Sequence, residues 1–137
     1  MVDRYGPPSR GDGWPASIDR VIGVTSTDPP DPRGNEEPSV FSDDNPHVDA
    51  GAPGSDIVIA FPEADDPYDL WSGTSMATPW VAGAAALLLE QNRNWTPAQV
   101  KDRLESTTKK PIAVGVGAGR LDVVGAVGCG ARRLRLT

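Results

Sequence analysis

The sequence predicts an α/β fold, on three observations. Residues 20–25 and 57–61 are compact apolar runs rich in β-branched side chains and bounded by turn formers, which reads as two strands. Residues 76–91 are dense in Ala and Leu, which lose little conformational freedom in a helix. A second helix over 97–107 opens with a full set of start signals: Thr96 as N-cap, Pro97 at the first helical position, Gln99 closing a capping box, and Trp95 placed to staple onto Val100.

Taken in order, residues 1–13 are a lead-in loop, and the first seventy residues are rich in Pro, Gly and Asp. Residues 29–38 form the clearest loop, because repeated prolines remove backbone donors. The two strand runs suit a sheet buried on both faces. The helix over 76–91 is apolar nearly all round, so it is expected to be buried in a larger protein. The small side chains of Ala77, Ala82, Gly83, Ala84, Ala85 and Ala86 would let neighbours approach its backbone. Gly115, Gly117 and Gly119 alternate, and residues 121–127 read as a short final helix or turn. The basic stretch 128–137, with Arg132, Arg133 and Arg135, reads as a solvated tail.

Composition narrows the function classes. With 137 residues and 38% hydrophobic content the chain supports one modest core. Its longest apolar stretch, 81–89, ends at Glu90, well short of the roughly 20 residues that span a bilayer, so no membrane role is expected. Residues 1–5 lack the apolar core and cleavage site of a secretory signal. Cys129 is the single cysteine, which excludes an internal disulfide and a cysteine-rich zinc site. Residues 1–70 carry 15 acidic and 4 basic side chains, net −11, and residues 71–137 carry 4 acidic and 9 basic, net +5. An acidic chain argues against nucleic-acid binding, which clustered Lys and Arg drive.

The chemistry sits where a polar loop turns into the apolar helix, at Ser72-Gly73-Thr74-Ser75-Met76-Ala77-Thr78-Pro79. A serine at a helix N-terminus lies among unpaired backbone N–H groups and the positive end of the dipole, which suits an oxyanion formed by attack on a carbonyl. Gly73 permits close approach, and Pro79 is expected within about the first turn, where a missing N–H costs at most one bond. The plain alternative for Ser75 is a helix N-cap.

Gly73-Thr74-Ser75-Met76-Ala77-Thr78-Pro79, followed by Val81-Ala82-Gly83-Ala84-Ala85-Ala86-Leu87, resembles the nucleophile motif of the subtilisin-like serine proteases, the subtilases of peptidase family S8. The likeness continues in order through Pro15-Ala16, Val21-Ile22-Gly23-Val24, Phe41-Ser42, Asp49-Ala50-Gly51-Ala52-Pro53-Gly54, Trp95-Thr96-Pro97-Ala98-Gln99-Val100 and Gly119-Arg120-Leu121-Asp122-Val123. It covers residues 14–127, which are expected to be the C-terminal part of a subtilase catalytic domain. The resemblance implies the C-terminal portion of a largely parallel sheet flanked by helices, and hydrolysis of peptide bonds through an acyl-enzyme on Ser75. It also implies that the Ser75 backbone N–H donates to the oxyanion, with the Thr74 side chain beside that site.

A serine hydroxyl is a poor nucleophile without an oriented base. The family's triad aspartate and histidine, and its oxyanion asparagine, are expected upstream of the matched region, so the chain alone is expected to be inactive. His47, the only histidine, stands in a turn sequence outside the family's histidine context and reads as a surface residue. Asp49 and Asp69, and Asn35, Asn45, Asn92 and Asn94, read as turn or helix-end residues. Trp80 occupies the position after the motif proline where relatives often carry histidine. Many relatives bind structural calcium, but Asp31, Asp43 and Asp65 have no ligand-loop spacing, and neither a metal ligand nor a cofactor is assigned.

The sequence thus reads as a serine endopeptidase that cleaves peptide bonds at Ser75 when the full catalytic domain is present. Its expected partners are a protein or peptide substrate and the missing N-terminal part of the domain. Complete family members are expected outside the cell. The alternatives are a catalytically inactive remnant serving as a protein-interaction module and, more remotely, an unrelated small α/β binding domain.

Overall fold

The computed structural model describes residues 15–32, 34, 36–42, 45–60, 67–109 and 117–128. The lead-in loop, Asn35, Asp43, Asp65, Phe61, Gly115, Cys129 and the basic tail from 129 onward lie outside the described residues.

Among the described residues four short strands precede three helices: β1 (Val24–Thr27), β2 (Ala50–Pro53), β3 (Ile57–Ala60), β4 (Tyr68–Trp71), α1 (Thr74–Gln91), α2 (Pro97–Ser106) and α3 (Val123–Val127). β1 and β2 pair in parallel, from Val24 opposite Ala50 to Thr27 opposite Pro53. The far edge of β2 is taken by residues 117–121, where Gly51 donates to the Gly119 carbonyl and accepts from the Leu121 amide, 2.9 and 2.8 Å. That strip folds against β2 because Gly117 and Gly119 adopt positive φ, 59° and 142°, and their missing Cβ atoms leave room for the Asp49 and Lys109 backbones.

α1 packs across β1 and β2, and its buried stripe Ala77, Val81, Ala84 and Leu88 follows helical spacing. Ala52, Val100, Leu104, Leu121 and Ala126 complete the core, with Ile22, Val24 and Trp95 packed against it. α2 begins as its sequence dictates: the Gln99 amide donates to Thr96 Oγ1, and the Thr96 amide donates to Gln99 Oε1. α3 starts where the Asp122 carboxylate accepts from the Gly125 amide, and it stops at Gly128 in the left-handed region.

Two expectations are corrected. The first strand starts at Val24, later than the apolar run, since residues 15–21 close into turns through Ile18 N–H to the Pro15 carbonyl and Val21 N–H to the Ile18 carbonyl. The second apolar run is not buried on both faces. β3 pairs antiparallel with β4 as a hairpin, with Val58 and Leu70 directly opposite each other and 65% and 60% exposed. The long helix, expected to be buried in a larger protein, keeps Trp80, Leu87 and Leu89 50%, 44% and 39% exposed here. Both exposures have one cause: the described residues supply a single layer of partners, enough to cover one stripe of α1 and none of the outer face of the hairpin. Among the described residues no helix is long and apolar enough to cross a membrane.

Candidate active site

The parallel pair aims its C-terminal ends at the loop that carries Ser75. Gly54, directly after β2, donates to the Thr27 carbonyl at the end of β1, and its own carbonyl accepts from the Gly73 amide at 2.8 Å. A Cβ on Gly54 would lie 2.4 Å from Ser26 Oγ and 2.7 Å from the Gly73 carbonyl oxygen, so only glycine lets the three segments meet. Ser72 ties in the hairpin: its hydroxyl accepts from the Asp56 amide at 2.9 Å, with Asp56 in the left-handed region at φ 54°. Asp tolerates that conformation better than most residues.

Gly73 is the N-cap of α1 in extended backbone, Thr74 and Ser75 are its first two residues, and no side chain caps the helix. Ser75 therefore sits one step inside the helix and does not act as an N-cap. Its side chain is exposed, and its hydroxyl donates no hydrogen bond to a described residue. Met76 N–H turns back to the Gly73 carbonyl at 3.0 Å, while the Ser75 N–H has no backbone acceptor among the described residues. A free amide beside a free hydroxyl, at the positive end of an 18-residue helix, is a place where negative charge on oxygen is stabilised. Thr74 is half-buried, and its carbonyl accepts from Thr78 Oγ1 at 2.9 Å.

Pro79 lies deeper than the first-turn expectation, at the sixth position of α1. Its missing N–H is the one that would have bonded the Ser75 carbonyl, and the Thr78 hydroxyl supplies a bond to the adjacent carbonyl. The Thr78 hydroxyl thus adds a side-chain bond at the Thr74 carbonyl, next to the Ser75 carbonyl that Pro79 cannot bond.

A chain of hydroxyls lies behind this loop. Ser26 Oγ and Ser39 Oγ are 2.7 Å apart, Ser39 Oγ and Ser55 Oγ are 2.8 Å apart, and Ser55 Oγ donates to Asp28 Oδ1 at 2.5 Å. Ser42 Oγ accepts from the Ser26 amide at 3.0 Å and donates to its carbonyl at 3.2 Å. These bonds join the end of β1, the 38–42 turn and the residue after Gly54, and so fix the floor on which Gly73 rests. Sequence reasoning missed them, because no spacing rule connects serines 13 to 16 positions apart.

His47 and Ser75 are not brought together. The His47 carbonyl lies against Gly23, before the start of β2, whereas Ser75 is anchored at Gly54 beyond its end. Five residue steps lead from Asp49 to Gly54, about 16 Å at a strand's rise. His47 is half-buried, with its amide donating to Asn45 Oδ1 at 2.9 Å, which is the turn role expected of Asn45. Asn92 caps the end of α1 and accepts from the Asn94 amide, as helix-end residues do.

The aspartates depart from their turn assignment. Asp69 lies in β4 and accepts from the Leu70 amide and the Trp71 indole. Asp49 is a clamp: one oxygen accepts from the Gly23 amide at 2.8 Å, and the other pairs with Lys101 Nζ at 2.8 Å. Lys101 also reaches the Val21 carbonyl and Glu105, at 3.5 and 4.0 Å, binding α2 to the start of both parallel strands. Burial lifts the Glu105 carboxyl above its ordinary range, the negative charge of Asp49 lifts it further, and Lys101 opposes both. Across the sheet, Arg120 pairs with Glu36. Among the described residues no group of three or more His, Cys, Asp or Glu side chains is placed to hold a metal ion.

Comparison with known proteins places this geometry in a class. The family model of Peptidase S8, the subtilase family, matches residues 8–128, and the chain belongs to that family. Over 95 residues it is 43% identical to subtilisin of Bacillus pumilus, covering 69% of this chain and 32% of that protein. Over 116 residues it is 38% identical to thermitase of Thermoactinomyces vulgaris, covering 83% of this chain and 38% of the relative. Fervidolysin from Fervidobacterium pennivorans, a keratinolytic enzyme related to subtilisin, superposes with a TM-score of 0.77 at 26% identity, over 93% of this chain and 22% of its own. The chain spans about a third of the length of the subtilisin and thermitase relatives.

Proposed function

We propose that this chain supplies the nucleophile-bearing C-terminal part of a subtilase catalytic domain, and that Ser75 attacks the carbonyl of a peptide bond in a protein or peptide substrate. The observation that carries this reading is the state of Ser75: an exposed, undonated hydroxyl and a free backbone amide on the first turn of α1, fixed through Gly73 to the C-terminal end of a parallel strand. In this reading the hydroxyl forms the acyl bond and its own N–H donates to the oxygen that becomes negative, with Thr74 alongside. Pro79 has no N–H to give the Ser75 carbonyl, so that carbonyl is not drawn into the regular ladder. The base that takes the hydroxyl proton, and the acid that orients it, come from the part of the domain that the relatives possess and these residues do not match. His47 lies at the wrong end of the sheet to serve as that base.

A fluorophosphonate probe tests this directly, since it reports activation of a hydroxyl by an assembled base and oxyanion site. The chain alone is expected to stay unlabelled and to leave casein intact. Supplied with an upstream subtilase segment, joined or as a separate chain, Ser75 is expected to label, with labelling lost in Ser75→Ala and kept in His47→Ala. Labelling that survives Ser75→Ala in a folded complex refutes the nucleophile assignment.

A second reading, an inactive module that binds other proteins, is favoured by the exposed apolar pair Val58 and Leu70 beside Tyr68 on one face of the hairpin. Failure of every reconstituted complex to label, with binding retained, selects it.

A further inference from the structure

At the far end of α1 from Ser75, a cavity of about 250 Å³ opens between three segments. Leu89 comes from the last turns of α1, Trp95, Pro97 and Val100 from the start of α2, and Arg20 and Ile22 from the strip that leads into β1. Val100, 5% exposed, forms part of the core, and Ile22 and Trp95 pack against the same core, so the apolar walls are held by it. Turns fix the approach: Val21 N–H bonds to the Ile18 carbonyl, and Lys101 Nζ reaches the Val21 carbonyl.

Arg20 is the single charged residue among the described residues of the lining, and its guanidinium makes no ion pair or hydrogen bond with a described residue. The neighbouring cation, Lys101, is already committed to Asp49. The nearby helix N-terminus is satisfied by its own capping box, which leaves Arg20 as the group that recognises charge.

We propose that this cavity binds a small apolar carboxylate, one ring or short branched chain in the pocket with its carboxylate on Arg20. Size favours a ligand of that scale. An apolar cavity of about 150 Å³ accepts benzene, and drug-sized pockets begin at about 300 Å³. Chemistry fixes the head group: a planar guanidinium offers paired donors to a carboxylate and sheds its hydration more readily than an ammonium. A free aryl or alkyl acid and the C-terminal residue of a peptide share these features. The site is independent of Ser75, which lies 14 helical positions away, about 21 Å along α1.

The test is an NMR titration of the full chain, following the Trp95 indole resonance, with 3-phenylpropionate and with N-acetyl-glycyl-phenylalanine, each against its carboxamide. Either acid is expected to move the resonance and to bind about fivefold more tightly than its amide, the scale of one exposed ion pair. Response to both acids identifies a general carboxylate site, and response to the peptide acid alone identifies a peptide C-terminus site. Arg20→Gln, at an exposed position, is expected to abolish the preference for acid over amide, and Arg20→Lys to keep part of it. Leu89→Phe, which narrows the cavity, is expected to weaken both acids at least threefold. A Trp95 resonance that does not move, equal binding of acid and amide, or an unchanged preference in Arg20→Gln overturns the proposal.

Discussion

Glycine positions separate two kinds of residue-scale constraint in this chain. Gly54 is walled in by Ser26 Oγ and the Gly73 carbonyl, both closer to an added methyl than real contacts permit, so Gly54→Ala must push apart the strand ends and the loop that carries Ser75. A loss of about 1–3 kcal/mol is expected, measured as a lower urea midpoint. Gly83 is the reverse case, a helix interior position whose added Cβ meets nothing within 4 Å. Gly83→Ala is expected to raise stability by about 0.5–1 kcal/mol in the same assay, because alanine loses less entropy on entering a helix. If both substitutions act alike, the close approach at Gly54 is not what holds the loop. The motif around Ser75 is legible in the sequence, yet it says nothing of Gly54, whose role depends on a contact 19 residues away with Gly73.

α2 owes its start to local chemistry and its place in the fold to charge. Thr96→Ala removes the acceptor of the Gln99 amide and is expected to cost about 1 kcal/mol. Thermal unfolding checks this, and an unchanged midpoint would mean that water caps the helix equally well. Glu105, on the same helix, gives stability a pH dependence of definite sign. Its folded carboxyl holds its proton more tightly than the unfolded one, through burial first and the Asp49 charge second. The native state therefore binds more protons than the unfolded state once pH exceeds the ordinary glutamate value of 4.5, and stability falls as pH rises from there through the raised folded value. Glu105→Gln removes that contribution, so urea midpoints of the wild type and the variant, followed from about pH 4 upward, should diverge in the variant's favour over this window. Parallel curves would assign the slope to another group. The capping box could be read from four consecutive residues, whereas the Glu105 environment could not, since Asp49 is 56 positions away in sequence.

At the scale of the molecule, two apolar surfaces stand open among the described residues. One is the hairpin face of Val58, Leu70 and Tyr68, and the other is the flank of α1 that holds Trp80 and Leu87. Surfaces of this kind favour association. The chain is expected to self-associate at micromolar concentration by light scattering, and Val58→Lys with Leu70→Lys should shift it toward monomer. A wild-type monomer with slow amide exchange throughout α1 would show that the described core suffices by itself. The sequence alone determined the elements whose signals are local: the strand-forming run at 57–60, the helix that follows Ser75, the capped start of α2, and the family carried by the motif. It did not reveal β2 or β4. Ala50–Pro53 is built of Ala, Gly and Pro and lacks a strand's composition, while Tyr68–Trp71 is only four residues long and interrupted by Asp69, and both are completed by a neighbouring backbone that offers hydrogen bonds. Only the tertiary structure decided which stripe of an almost uniformly apolar helix is buried, that His47 and Ser75 stand at opposite ends of the parallel pair, and that four separated hydroxyl and carboxylate groups meet behind the Ser75 loop. The physical reason is the same in each case. Periodicity and capping act between residues a few positions apart, while burial and side-chain hydrogen bonding depend on which distant segments the folded chain brings within a few ångströms.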